Sequence, residues 1–217
     1  MMAPAYAPEM PARLAEAAFR LFSDRGIRDV NMEAIAAGAG VTKGSLYWHY
    51  RSKDELIRAA CSHYYREWHR RTRAALAGEA DALRRLDKVV RLSVRDCLLD
   101  EGNRVFTLEV FALSLKDSAV REGWRQFFDA VREFYVGLVE DARAAGRIRC
   151  DDPGRAVGLM LSAMEGFKLR ALFEPGLCAP ESERAIGDEL LGILGADSGT
   201  VTIPQGMENT EEIWRLG

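Results

Sequence analysis

The chain is poor in the residues that build metal centres and disulfide frameworks. Of its 217 residues four are cysteine and three are histidine. Cys61, Cys97, Cys150 and Cys178 form no CxxC pair, and His49, His63 and His69 show no HExxH or related ligand spacing. The cysteines therefore read as reduced thiols, no metal site is expected, and no cofactor is called for. No apolar run approaches the roughly 18 to 20 residues that cross a bilayer. Met1 to Met10 lacks the charged and apolar regions of a secretory signal. No membrane partner is expected, and the expected location is cytoplasmic. Strict polar–apolar alternation flanked by hairpin signals is also missing, which argues against a strand-rich fold. Neither a phosphate-binding glycine loop nor a cluster of nucleophile, base and orienting group is visible, so an all-α enzyme or carrier is the weaker alternative.

What is present is helical periodicity over most of the length. Apolar residues recur at 3.6-residue spacing, as in Leu14, Ala18, Leu21 and Phe22, and again in Leu83, Leu86, Val90 and Val94. With 48% hydrophobic residues the chain has enough apolar surface for a packed core. Breaks at Gly26, Gly40, Gly78, Gly102, Gly146, Pro175-Gly176 and Gly195 divide it into about nine helices, so the fold class is all-α. The first three pieces are short, while the later ones run to about 15 to 28 residues, as a helix bundle requires. The expected division is a three-helix unit over 1–52, a helix-bundle domain over 53–197 and a loosely ordered tail over 198–217. Ile203, Ile213 and Trp214 are the tail's candidate anchors.

Local start signals agree with this division. Pro11 suits a first helical position, Asn31 caps a short helix from Met32, and Thr42 caps another from Lys43 to about His49. Ser52 and Glu55 form a capping box ahead of a long helix, and Asp152-Pro153 puts a cap before a proline at the first helical position.

The formal net charge is −3, which by itself argues against a nucleic-acid partner. Its distribution reverses that impression. Between Arg13 and Leu76 there are 12 basic against 7 acidic residues, whereas the remainder carries 18 against 26. A basic head sits on an acidic body, and the field that attracts a polyphosphate is local, being screened within about 10 Å at ordinary salt.

The segment from Asn31 to Tyr50 reads NMEAIAAGAGVTKGSLYWHY. Ile35 and Ala36 give a short helix its apolar face, Ala39-Gly40-Val41 turns the chain with small residues, and Thr42 opens a second short helix carrying Leu46 and Tyr47. That is the layout of a helix-turn-helix, whose second helix enters a major groove by its N-terminal end. Lys43 suits guanine O6 and N7 or a phosphate, Thr42 and Ser45 suit either, and Gly44 permits close approach. Tyr47 and His49 suit phosphate contacts, Trp48 suits thymine methyls or the sugar backbone, and Asn31 suits a phosphate. Lys53, at the next helix start, suits a phosphate held jointly with backbone N–H groups. Tyr50 is expected to be buried rather than bound to DNA.

Over Leu14 to Leu56 these residues, with Ala18, Phe22, Gly26, the run Ala39 to Tyr47, His49-Tyr50 and Ser52 to Leu56, resemble the DNA-binding domain of TetR-family transcriptional regulators. The resemblance implies a nine-helix subunit, a homodimer made by the last two helices, and repression of a palindromic operator relieved by a small molecule. Two positions depart from the family pattern. Met1 to Ala12 carries no basic residue, which removes minor-groove contacts from an arm, and Asn31-Met32 stands where hydroxyl residues are common. The stretch Met164 to Pro175, MEGFKLRALFEP, is similar to the C-terminal domain of subgroups related to the choline-responsive BetI, though no ligand is carried over from that shorter likeness.

In the body, Gly158, Ser162, Gly166 and Leu169 with Ile186, Leu190, Leu191 and Leu194 are the candidate dimer face, forming a four-helix interface in C2 symmetry; intramolecular packing is the competing reading. Phe106, Val110, Trp124, Phe128, Met160, Met164 and Phe167 are the candidate walls of a largely apolar effector chamber, each of which equally suits plain core. Glu165 and Lys168 interrupt the apolar stretch and are expected to be an exposed i, i+3 pair, with orientation of a ligand's polar group as the other reading. The sign of the ligand's effect stays open between inducer and co-repressor. A DNA-binding protein with no effector is the remaining alternative.

Overall fold

A computed structural model describes residues 9–196, and the anchors expected in the tail lie outside them. Among the described residues there are nine α-helices and no strand: α1 (Met10–Arg25), α2 (Met32–Gly38), α3 (Lys43–His49), α4 (Lys53–Leu76), α5 (Ala82–Ser93), α6 (Glu101–Ser114), α7 (Ser118–Ala144), α8 (Pro153–Arg170) and α9 (Ser182–Ile193). A π-helical turn, Val94–Leu99, continues α5, and a short 3₁₀ turn, Pro175–Cys178, precedes α9.

The expected caps form. Asn31 Oδ1 accepts from the Ala34 N–H at 2.8 Å, Thr42 Oγ1 from Ser45 at 3.2 Å, Ser52 Oγ from Glu55 at 3.2 Å and Asp152 Oδ1 from Arg155 at 2.9 Å. Each satisfies an N–H that would otherwise lack a partner at a helix start. The reciprocal bond of the capping box goes one residue further out than expected, with Glu55 accepting from the Arg51 N–H at 2.7 Å. Gly102 was expected to break the chain but lies in the first turn of α6, which Asp100 caps by accepting from Asn103 at 2.8 Å. A side chain at 102 would come within 3.2 Å of Ser23 Cβ, so the glycine allows α6 to press against α1. Helices α5 and α9, at 12 residues each, are shorter than expected.

Two clusters of buried side chains hold the described residues together; one spans residue 53 and the other lies wholly beyond it. One joins Leu14, Phe22, Ile35 and Leu46 of the head to Tyr64 on α4, Phe106 and Val110 on α6 and Trp124 on α7. The other is built by α5, the π turn, the C-terminal part of α7, α8 and α9, around Leu86, Val90, Leu98, Tyr135, Val157 and Leu190. Its polar seams are specific. Tyr135 donates to Ser93 Oγ at 2.8 Å, and Arg91 and Arg95 reach across to Asp188 and Glu183 at 2.6 Å, fixing α9 on α5 and the π turn.

Candidate DNA-reading head and effector cavity

The helix-turn-helix is made by α2 and α3. Gly40 adopts φ +68 between them, a conformation costly for any residue with a Cβ, and the Val41 N–H closes the corner on the Ala36 carbonyl at 3.0 Å. Of the α3 residues only Leu46 is buried, and it pins the helix to the head core. The rest of the helix is therefore free to meet a partner. Trp48 is 80% exposed, Tyr47 is exposed, and a Cβ at Gly44 would meet nothing closer than Thr42 Oγ1 at 3.9 Å. Thr42 and Lys43 are exposed, and Ser45 and His49 are half-buried. The Trp48 and His49 rings meet edge to face at 4.6 Å.

Lys43 is held from two sides. Its ammonium pairs with Glu33 of the first turn of α2 and lies 5.8 Å from the centre of the Tyr47 ring. The hydrogen bond between them raises the Lys43 pKa and lowers that of Glu33. Spacing along the chain gave no sign of this acidic partner, because the two residues sit on different helices. Lys53 is half-buried and donates to the Arg28 carbonyl at 3.1 Å, tying the start of α4 to the α1–α2 corner. Tyr50, expected to be buried, is half-buried and donates to the Pro11 carbonyl at 3.1 Å.

The head is also strapped to the body. Glu109 of α6 accepts from the Ile27 N–H, just past the end of α1. Gly26 beside it has φ +82, and a Cβ there would lie 2.7 Å from Glu109 Oε1. Only glycine fits both the backbone conformation and the carboxylate.

The body holds a small cavity of about 40 Å³ bounded by α4, the π turn, α6, α7 and α8. Trp124, Phe128, Met160 and Met164 line it as expected, joined by Tyr64, Trp68, Cys97, Thr107, Phe127 and Tyr135. Three expected wall residues do not reach it. Phe106 and Val110 turn toward the head core, where the Phe106 ring meets Phe19 at 5.0 Å, and Phe167 packs half-buried against the other cluster. The walls from α4 and the π turn were missed because helical spacing marks a buried stripe without saying which helix it faces.

The expectation for Glu165 and Lys168 is corrected. They do pair at i, i+3, at 2.9 Å, but the Lys168 side chain is only 5% exposed and both residues line the cavity. They sit on the face of α8 that carries Val157, Met160 and Met164, so the pair is carried inward with that stripe. Beside them Tyr64 and Cys97 share a hydrogen bond of 3.4 Å, and burial raises the pKa of both groups.

The dimer-face expectation also needs correction. Ile186, Leu190, Leu191 and Leu194 are buried in the chain's own core, because α9 spends that face on α5 and α8. Gly158, Ser162, Gly166 and Leu169 lie on the outer side of α8, and Leu159 and Phe173 extend that side, Phe173 being 83% exposed. On α9 the outward positions include Ala185, Gly192 and Ile193.

This is an all-helical protein with a helix-turn-helix head on a helical body. Residues 14–60 match the model of bacterial regulatory proteins, tetR family. The chain is 33% identical over 99 residues to the HTH-type transcriptional regulator TtgR of Pseudomonas putida, covering 45% of this chain and 47% of TtgR. The match thus spans about half the length of that relative. It is 25% identical over 139 residues to the HTH-type transcriptional regulator UidR of Escherichia coli, covering 64% and 69% of the two chains. Among solved structures, a protein of Saccharomonospora viridis in complex with choline superposes with a TM-score of 0.74 at 21% identity, over 84% of this chain and 95% of that one. Salmonella enterica GusR does so with 0.66 at 22%, over 87% and 98%. At those identities the likeness is one of fold.

Proposed function

We propose that the protein is a dimeric transcriptional repressor that reads a palindromic operator with two copies of α3 and is released by a small molecule bound in the body. The observation that carries this reading is the bareness of α3: a seven-residue helix anchored by Leu46 alone presents Thr42, Lys43, Gly44, Tyr47 and Trp48 outward. A side chain such as Trp48 gains nothing from water, but it finds partners in thymine methyls and sugars. Asn31, Ser45, His49 and Lys53 flank the same face in the assignment, as phosphate or base contacts.

One head covers too few base pairs for useful specificity, whereas two heads about 34 to 36 Å apart read successive turns of one side of a duplex. The outward stripe of α8 and Gly192 and Ile193 of α9 supply the apolar, small-residue surface for a second copy, in place of the four buried leucine and isoleucine side chains. The choline complex of the Saccharomonospora protein supports a small-molecule site within a fold of this kind.

Release follows from what α6 touches. Thr107 lines the cavity and Glu109, two residues on, holds the Ile27 N–H of the head. An occupant that moves α6, or α4 through Tyr64 and Trp68, shifts the head and so the spacing of two heads in a dimer. A thousandfold loss of operator affinity requires the occupant to favour the released form by about 4 kcal/mol.

The test uses a duplex selected from random sequence by the wild-type protein. Lys43→Ala is expected to weaken binding, to lower the slope of log affinity against log salt by about one, and to leave the fold intact. Unchanged affinity across the salt series removes Lys43 from the contact surface.

A further inference from the structure

Two buried polar atoms beside the cavity have no hydrogen-bond partner: the indole N–H of Trp124 and Glu165 Oε2. Leaving such groups unpaired costs on the order of 1 to 3 kcal/mol each, more for a charged group, so a well-packed interior rarely contains them without reason. The residues they belong to line the same cavity as Lys168, whose ammonium is buried, has Glu165 Oε1 at 2.9 Å and stands 5.9 Å from the centre of the Phe111 ring. Trp124 itself is 5% exposed.

Resting on the reading of the body as an effector-binding domain, we infer that this cavity takes an uncharged apolar molecule bearing a hydroxyl group, recognised by Glu165, Lys168 and Trp124. The charge balance selects it. An organic cation would find the carboxylate already neutralised and a buried ammonium beside it, and an anion would meet Glu165; either adds an unpaired charge to a low-dielectric site. A hydroxyl needs no counter-charge. It donates to Glu165 Oε2 and accepts from the Trp124 N–H or the Lys168 ammonium, satisfying orphaned groups of both kinds with one substituent. The surrounding rings of Tyr64, Phe127 and Phe128 suit a flat apolar frame.

The same geometry gives the way in. At about 40 Å³ the inner cavity has room for water-sized occupants only. A solvent-open cleft of about 420 Å³ lies between α4 and α7, and Trp124 and Phe127 line both spaces. Phe127 is half-buried, so its rotation joins the two voids at lower cost than moving the buried Trp124. The ligand's frame then fills the cleft side and its hydroxyl reaches Glu165.

Isothermal titration of the full chain without DNA, at neutral pH, tests this with four probes of one size: 2-naphthol, 2-methoxynaphthalene, 2-naphthoate and 2-naphthyltrimethylammonium. The naphthol is expected to bind at least about tenfold tighter than each of the others. In Glu165→Leu/Lys168→Met, which removes the pair together and leaves no lone buried charge, that preference over the ether is expected to vanish while circular dichroism stays unchanged. Glu165→Gln, which keeps the shape, is the second variant: naphthol binding drops and ether binding does not. Tightest binding of the ammonium or the naphthoate, equal binding of the ether, binding of none of the four, or an undiminished preference in Glu165→Gln would each overturn the assignment. Naphthol that binds yet leaves the protein on its selected duplex contradicts the regulatory reading and leaves the cavity assignment standing.

Discussion

The head and the body use side chains in opposite ways. On α3 the residues assigned to function are those the fold leaves outside, and burial is confined to Leu46. In the body they are the ones the fold takes in, down to a lysine and a glutamate that share a cavity with six aromatic rings. A surface site can be rebuilt by substitution with little harm to stability, whereas a buried site is part of the core that surrounds it. On the proposed function, sensing and reading are therefore separable in energy, with α4 and α6 as the elements that would couple them.

Leu46→Ala should have the largest effect, because it removes the single anchor of α3: a loss of about 2 to 5 kcal/mol in chemical denaturation, with DNA binding lost as α3 detaches. A change below about 1 kcal/mol would mean that α3 is held by something other than its core contact. Gly26→Ala comes next. Strain at φ +82 and the contact with Glu109 predict a loss of about 1 to 3 kcal/mol, and an effect within about 0.5 kcal/mol would remove the strap from the account. Trp48→Ala sharpens the contrast from the other side. Stability in thermal melts should hold within about 0.5 kcal/mol while affinity for the selected duplex falls, and a parallel loss of both would make Trp48 a packing residue.

Glu33→Gln should act in the unusual direction. Freed from its carboxylate partner, Lys43 meets phosphate without first giving up an ion pair, so affinity rises a few-fold at low salt and the gain shrinks as salt rises. A loss of affinity would show that Glu33 positions Lys43. The smallest effect concerns acid stability. Burial lowers the pKa of the half-buried His63, against the opposing pull of Glu67 and Glu16. Its folded form thus resists protonation, so its contribution is whole above the unfolded value of about 6.5 and is lost as pH falls through that value toward the lowered one. Thermal melts from pH 7.5 down to 5.5 should show a smaller decline in His63→Gln than in the wild type; equal declines would assign the acid sensitivity elsewhere.

How much of this was legible in the sequence follows the same division. The head was readable because short-range signals make it: Asn31, Thr42 and Ser52 each cap the helix that begins at the next residue, and Gly40 turns the corner within a few residues of both. The body depends on which helix faces which. Ile186 and Leu190 lie on an apolar stripe whose spacing is the same whether it meets a second copy or α5, and only the fold decides for α5. Glu165 and Lys168 read as a solvated pair because both are charged, although Lys168 continues the helical spacing of Val157, Met160 and Met164 on the side that α8 turns inward. The π turn, which carries Cys97 to the cavity, has no periodicity of its own to announce it.

The central claim is that this head works in pairs on one face of a duplex. Sedimentation of the protein with its selected duplex measures that directly. Two chains per duplex are expected, protecting half-sites about 10 to 10.5 base pairs apart, or a multiple of that, in mirrored sequence. A single chain per duplex, or selection that returns no symmetric sequence, would contradict it.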